Sequence, residues 1–117
     1  MLKKKYRLKK ETAFSATFKL KDCKSNVFLT IYKGKAKTNS AIPTKIGIIV
    51  SKKVHKRAVK RNKIKRRLRE IYIEAAKKGL PENLQQALSI IFIANTKSLE
   101  ADFLTLKEAA FELLNRF

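Results

Sequence analysis

Acidic residues are what this chain has least of. Nine Asp and Glu stand against twenty-nine Lys and Arg among 117 residues, a formal charge of +20, and no acid occurs from Cys23 through Arg69. Metal-assisted phosphodiester cleavage needs clustered carboxylates, and nine dispersed ones do not supply them. Glu70 and Glu74 share a helix face at i+4 spacing and read as an ordinary structural pair. Cysteine is limited to Cys23, so no internal disulfide forms, and His55 is the only histidine, which leaves no metal cage. His55 has no motif partner for acid–base work and reads as a surface residue beside phosphates. Glycine is scarce, and the "KGK" at Lys33 to Lys35 lacks the spacing of a phosphate-cradling loop. The longest apolar run, Ile90 to Ala94, suits a buried strand and falls far short of the ~18 residues of a membrane span. The basic stretch "MLKKKYRLKK" is followed by no long apolar region, so neither a secretory signal nor a membrane partner is expected, and the expected location is cytoplasmic.

What is present is a normal apolar fraction, 44%, enough for one core in a single domain over residues 1–117. A surplus of positive charge opposes folding by self-repulsion and is tolerated where a polyanion neutralises it. The surplus is concentrated. Lys52, Lys53, Lys56, Arg57, Lys60, Arg61, Lys63, Lys65, Arg66, Arg67 and Arg69 fall within eighteen residues, and a basic arm covers residues 1–10. Solvated helix faces ordinarily interleave acids at i+4; here there are none.

The coarse order is αβββαβα. A short helix is expected from Glu11 to Lys19, with Phe14 and Phe18 one turn apart. Strands are expected over Asn26 to Lys33, Thr44 to Ser51 and Ala87 to Asn95. Between the last two, Ile64, Leu68, Ile71 and Ala75 follow a helical period through residues 52–79, which Gly79 and Pro81 end. On that wheel Lys60, Lys63, Arg66 and Arg67 point away from the apolar stripe, whereas Arg61 leans inward and requires an open rim. Ser98 is expected to cap a last helix whose stripe is Phe103, Leu106, Ala110, Phe111, Leu114 and Phe117. Helices on a small mixed sheet of four strands, at least three of them explicit, make an α+β two-layer αβ sandwich. Alternation places Val27, Leu29 and Ile31 inward and Phe28, Thr30 and Tyr32 on the second face, with Gly47 marking a close approach or an unfilled position on one face.

Two ordered motifs then resemble the protein subunit of bacterial ribonuclease P. One is "VSKKVHKRAVKRNKIKRRLRE", centred on Arg61-Asn62-Lys63, with Lys where the family's RNR signature has its second Arg; the other is "RLKKETAFSATF", Arg7 to Phe18. The resemblance covers nearly the whole chain. It implies a left-handed connection through the basic helix between neighbouring parallel strands, where pattern alone would suggest a right-handed one. It implies a protein without its own active site that partners a catalytic RNA and the 5′ leader of precursor tRNA, with Mg2+ held by the RNA and substrate, as a monomer in a 1:1 complex. The expected RNA-binding residues are Lys52, Lys53, Lys56, Arg57, Lys60, Arg61, Asn62, Lys63, Lys65, Arg66 and Arg69. The expected leader cleft comprises Arg7, Lys10, Phe14, Phe18, Phe28, Tyr32, Ser51 and Lys97, the last beside Asn95 and Thr96, where the family often has basic residues. A structural RNA-binding protein of ribosomal type shares the charge but needs no such cleft. DNA is not an expected partner, because the basic helix lacks a short helix-turn-helix companion.

Overall fold

Alternating apolar residues build four short strands: β1 (Cys23–Ser25), β2 (Leu29–Lys33), β3 (Lys45–Ile49) and β4 (Ser89–Ala94). In the computed structural model, which describes residues 4–39 and 41–117, they form one mixed sheet in the order β1-β2-β4-β3. β1 and β2 are antiparallel, β2 and β4 antiparallel, β3 and β4 parallel. The β3–β4 connection runs through the long helix α2 (Ala58–Lys78), so the crossover joins adjacent parallel strands. The other helices are α1 (Glu11–Lys19), the single turn α3 (Glu82–Gln85) and α4 (Phe103–Asn115).

Register decides which residues share a face. Ile31 and Ile48 both pair with Phe92, Leu29 pairs with Ala94, and Ile46 with Ile90. These side chains form the core with Ile64, Leu68, Ile71 and Ala75 of α2 and Leu106, Ala110, Leu113 and Leu114 of α4. The helical period read from the sequence is therefore the buried stripe. The other face carries Cys23, Tyr32, Ile91 and Gly47 in one row and Ser25, Thr30, Ile93 and Ile49 in the next. α1 lies on that face: Phe14 sits over Gly47 and Phe18 meets Tyr32 edge-on at 4.9 Å. The expected αβ sandwich forms, with α2 and α4 on one side of the sheet and α1 on the other.

Local chemistry sets the ends. Lys21 takes a left-handed φ of 54°, turning the chain from α1 into β1. Gly79 has φ 100° at the end of α2 with open space around it, so it is required for conformation and not for room. Three expectations about where elements begin need correction. Val27 is exposed, because Asn26 accepts from the Phe28 and Leu29 N–H groups and holds a bend ahead of β2. Asp102, not Ser98, caps α4 by accepting from the Thr105 N–H at 2.8 Å; Ser98 is buried and donates to the Asn95 carbonyl. The helix begins at Ala58, so residues 51–57 form a turn that precedes it. Lys3 of the basic arm and Ser40 of the following loop lie outside the described residues.

The arm adds an unforeseen element. Arg7 bridges Ile46 in parallel, and the Leu8 N–H donates to the Ile46 carbonyl at 2.9 Å. An unpaired edge strand invites association; residues of the arm cover part of the β3 edge.

Candidate nucleic-acid interface

The apolar stripe that docks α2 leaves its cations outward. Lys60, Asn62, Lys63 and Arg66 are exposed, and Lys65, Arg67 and Arg69 are half-buried along the flanks. The preceding turn contributes Lys52, Lys53, Lys56 and Arg57, all exposed. Turn and helix thus form one continuous basic surface. Salt bridges elsewhere involve Lys33, Lys97, Lys107 and Arg116, none of which belongs to it.

Arg61 behaves differently from its neighbours. Its Nη1 donates to the carbonyls of His55 at 2.9 Å and Lys56 at 2.7 Å, while the Arg57 N–H donates to His55 Nδ1 at 3.0 Å. The guanidinium that leaned inward on the wheel finds its rim here and ties the turn to the helix. His55 likewise has a structural partner. Both fix the positions of the cations on either side of them.

Farther along α2 the surroundings change sign. Glu74 meets Lys107 of α4 at 2.7 Å, and this ammonium, chiefly through the hydrogen bond, holds the Glu74 carboxyl below its ordinary range. Asp102 is also held low, first by the Thr105 N–H and also by Arg67. The C-terminal half of α2 is therefore knitted to α4, whereas the N-terminal half presents charge.

The second region lies under α1. Phe14, Phe18 and Tyr32 come together, with Phe14 and Phe18 ring centres 6.5 Å apart. Beyond them the row Ser25, Thr30, Ile93 and Ile49 is not buried, and Ser51 is exposed past the end of β3. Aromatic rings above a half-open sheet beside cations suit unstacked bases. The close approach foreseen at Gly47 is the Phe14 ring, since a Cβ there would stand 2.6 Å from Phe14 Cε1.

Other expected cleft residues lie elsewhere. Phe28 packs against the core on the α2 and α4 side, because the bend held by Asn26 interrupts the alternation that would have turned it toward α1. Arg7 and Lys10 line a separate depression with Lys4, Lys5, Lys9 and Lys45 at the β3 edge. Lys97 is exposed on a 3-10 turn (Thr96–Leu99) and lies 3.7 Å from Glu100. Asn95 is a latch: its Nδ2 donates to the Asn26 carbonyl. No group of three or more His, Cys, Asp or Glu that could hold a metal ion occurs among the described residues. No helix among them is long and apolar enough to cross a membrane.

Comparison with known proteins agrees with this architecture. The family model for Ribonuclease P matches residues 2–117. The ribonuclease P protein component of Caldanaerobacter subterraneus subsp. tengcongensis is 34% identical over 116 residues, covering 99% of this chain and 92% of that protein. That of Clostridioides difficile is 32% identical over 109 residues, 93% and 89% of the two chains. Among solved structures, the Staphylococcus aureus RNase P protein superposes with a TM-score of 0.75 at 30% identity, covering 95% of this chain and 94% of that one. The Thermotoga maritima RNase P protein gives 0.74 at 28% identity, covering 95% and 96%.

Proposed function

The chain belongs to the ribonuclease P protein family, and we propose that it serves as the protein subunit of the ribonucleoprotein endonuclease that removes the 5′ leader from precursor tRNA. Family membership places it with the ribonuclease P RNA. The observation that carries the finer reading is the acid-free basic surface of residues 51–69, backed by a helix whose opposite stripe is buried.

In this reading, Lys52, Lys53, Lys56, Arg57, Lys60, Lys63, Lys65, Arg66 and Arg69 contact phosphates of the catalytic RNA, Asn62 adds a polar contact, and Arg61 positions the turn. Counterions released at each contact make binding salt-dependent, with a loss of about 10³–10⁵ from 50 to 200 mM salt for ~6–10 contacts. Phe14, Phe18 and Tyr32 line one side of the leader cleft, and Ser51 stands past the end of β3 at its margin. The protein assembles as a monomer in a 1:1 cytoplasmic complex. Bond cleavage belongs to the RNA and the Mg2+ it holds with the substrate; the protein binds, orients and neutralises charge.

Reconstitution with a bacterial ribonuclease P RNA tests this directly. Leader removal should proceed at lower Mg2+ with the protein than without it, and precursor should bind more tightly than mature tRNA. No change in either quantity would overturn the assignment.

A further inference from the structure

The helix α1 separates two grooves, and the leader cleft is only one of them. At 100° per residue, Phe14 and Phe18 occupy one flank of α1, Thr17 faces the sheet, and Ala16 and Leu20 occupy the other. On this second flank an open groove of about 510 Å³ lies between α1, the loop bearing Ile42 and Pro43, and the start of β4. Its walls include Leu20 and Ile42, which are 51% and 38% exposed despite being large and apolar. They come from segments more than twenty residues apart, so the groove is made by tertiary packing. Lys19, Lys35 and Lys45 stand among its lining residues, and no carboxylate does.

The floor carries two buried hydroxyls. Thr17 Oγ1 donates to the Ala13 carbonyl at 2.9 Å, and it lies 2.6 Å from Ser89 Oγ. Because the Thr17 proton is committed to Ala13, Ser89 is the donor between them and keeps acceptor capacity. Both residues line the groove at 2% and 6% exposure. The groove adjoins the depression at the β3 edge, with which it shares Leu8, Ala13 and Lys45 and which adds Lys4, Lys5, Lys9 and Lys10. Glu11 lines a shallower depression that shares Ala16 and Lys19 with the groove, so one carboxylate stands beside it and none within it.

We propose that this groove is a second single-stranded RNA site, across α1 from the leader cleft. An unstacked base enters between Leu20 and Ile42 and donates from an exocyclic amine to Ser89 Oγ, while flanking phosphates meet Lys19, Lys35 and Lys45 and the chain continues along the arm. An apolar slot with Lys19, Lys35 and Lys45 among its lining residues and no carboxylate matches a base flanked by phosphates.

The inference rests on the RNA-binding role proposed above, and its test separates the two. Ala16→Glu and Leu20→Asp place a carboxylate in the groove at exposed positions. Each is assayed by circular dichroism and then in the complex reconstituted with bacterial ribonuclease P RNA and precursor tRNA. Lost apolar contact with the base and repulsion of its flanking phosphates should weaken RNA affinity about tenfold, and Lys19→Glu with Lys35→Glu should also lower the slope of log affinity against log salt by about two. A chelated iron attached through Ala16→Cys in a Cys23→Ser background should cut a single-stranded RNA segment distinct from that cut from Phe14→Cys.

Wild-type affinity in folded groove variants, or no cuts from position 16 while position 63 gives them, overturns the groove and leaves the subunit role standing. Cuts from position 16 in a complex whose leader removal is not assisted by the protein would support the groove and overturn the subunit role. Capture of a peptide with no effect of the variants on RNA would also overturn it.

Discussion

The two faces of the sheet are built from the same strands and end in opposite states. Toward α2 and α4, Leu29, Ile31, Ile90 and Phe92 have no exposed surface. Toward α1, Ile91 and Gly47 are sealed beneath the helix, but Thr30, Ile49 and Ile93 remain half-buried, and the aromatic rings near them are also partly exposed. Two helices seal the first face, one of them of twenty-one residues; a single nine-residue helix covers part of the second. The strands are no more polar on the open side in β3 and β4, where Ile49, Ile91 and Ile93 point. Coverage, and not strand composition, makes the difference between the sealed face and the open one.

The contrast can be broken from the sealed side with the largest effect. Phe92→Ala removes a ring at the centre of the core, in edge contact with Tyr72, and should cost about 3–5 kcal/mol in denaturant unfolding. Phe14→Ala, on the open side, should cost clearly less and instead reduce discrimination of precursor from mature tRNA. Equal stability losses would mean that both faces are core.

Next in size, Lys63→Glu with Arg66→Glu should weaken RNA binding and flatten the salt slope by about two, with the circular dichroism spectrum unchanged. An unfolded double variant would show that α2 docks through a different stripe. Gly47→Ala sharpens the comparison on the α1 face. The new methyl overlaps the Phe14 ring, so a loss of about 1–3 kcal/mol is expected together with altered leader discrimination. Wild-type behaviour in both assays would show that Phe14 does not rest on Gly47.

The smallest effect is that of acid. Glu74 and Asp102 are held below the ordinary carboxylate range by partners in the folded state. Their contribution is fully present above the unfolded values near ~4 and is lost as pH falls below them. Melting temperature should therefore drop between pH 6 and pH 3, and less so in a Glu74→Gln, Asp102→Asn variant.

Much of this was legible in advance for a local reason. Spacing within a helix fixes which side chains share a face, so Ile64, Leu68, Ile71 and Ala75 declared the buried stripe of α2 and left Lys60, Lys63 and Arg66 outward. The bounds of α1 and the role of Gly47 followed similarly. Where a local bond interrupted a pattern, alternation misled: Asn26 bends the chain and turns Phe28 toward the core. Ser98 had the chemistry of a cap, yet the intervening 3-10 turn gave that place to Asp102.

Sequence by itself determined the elements, the buried stripe and the position of the cations, because each depends on residues within a few turns of one another. Tertiary structure alone decided that the arm lies along β3 and that α1 packs over the sheet with a groove along its Leu20 flank. Those outcomes depend on contacts such as Leu8 with Ile46 and Thr17 with Ser89. Their partners lie tens of residues apart, a separation at which periodicity carries no information about distance in space.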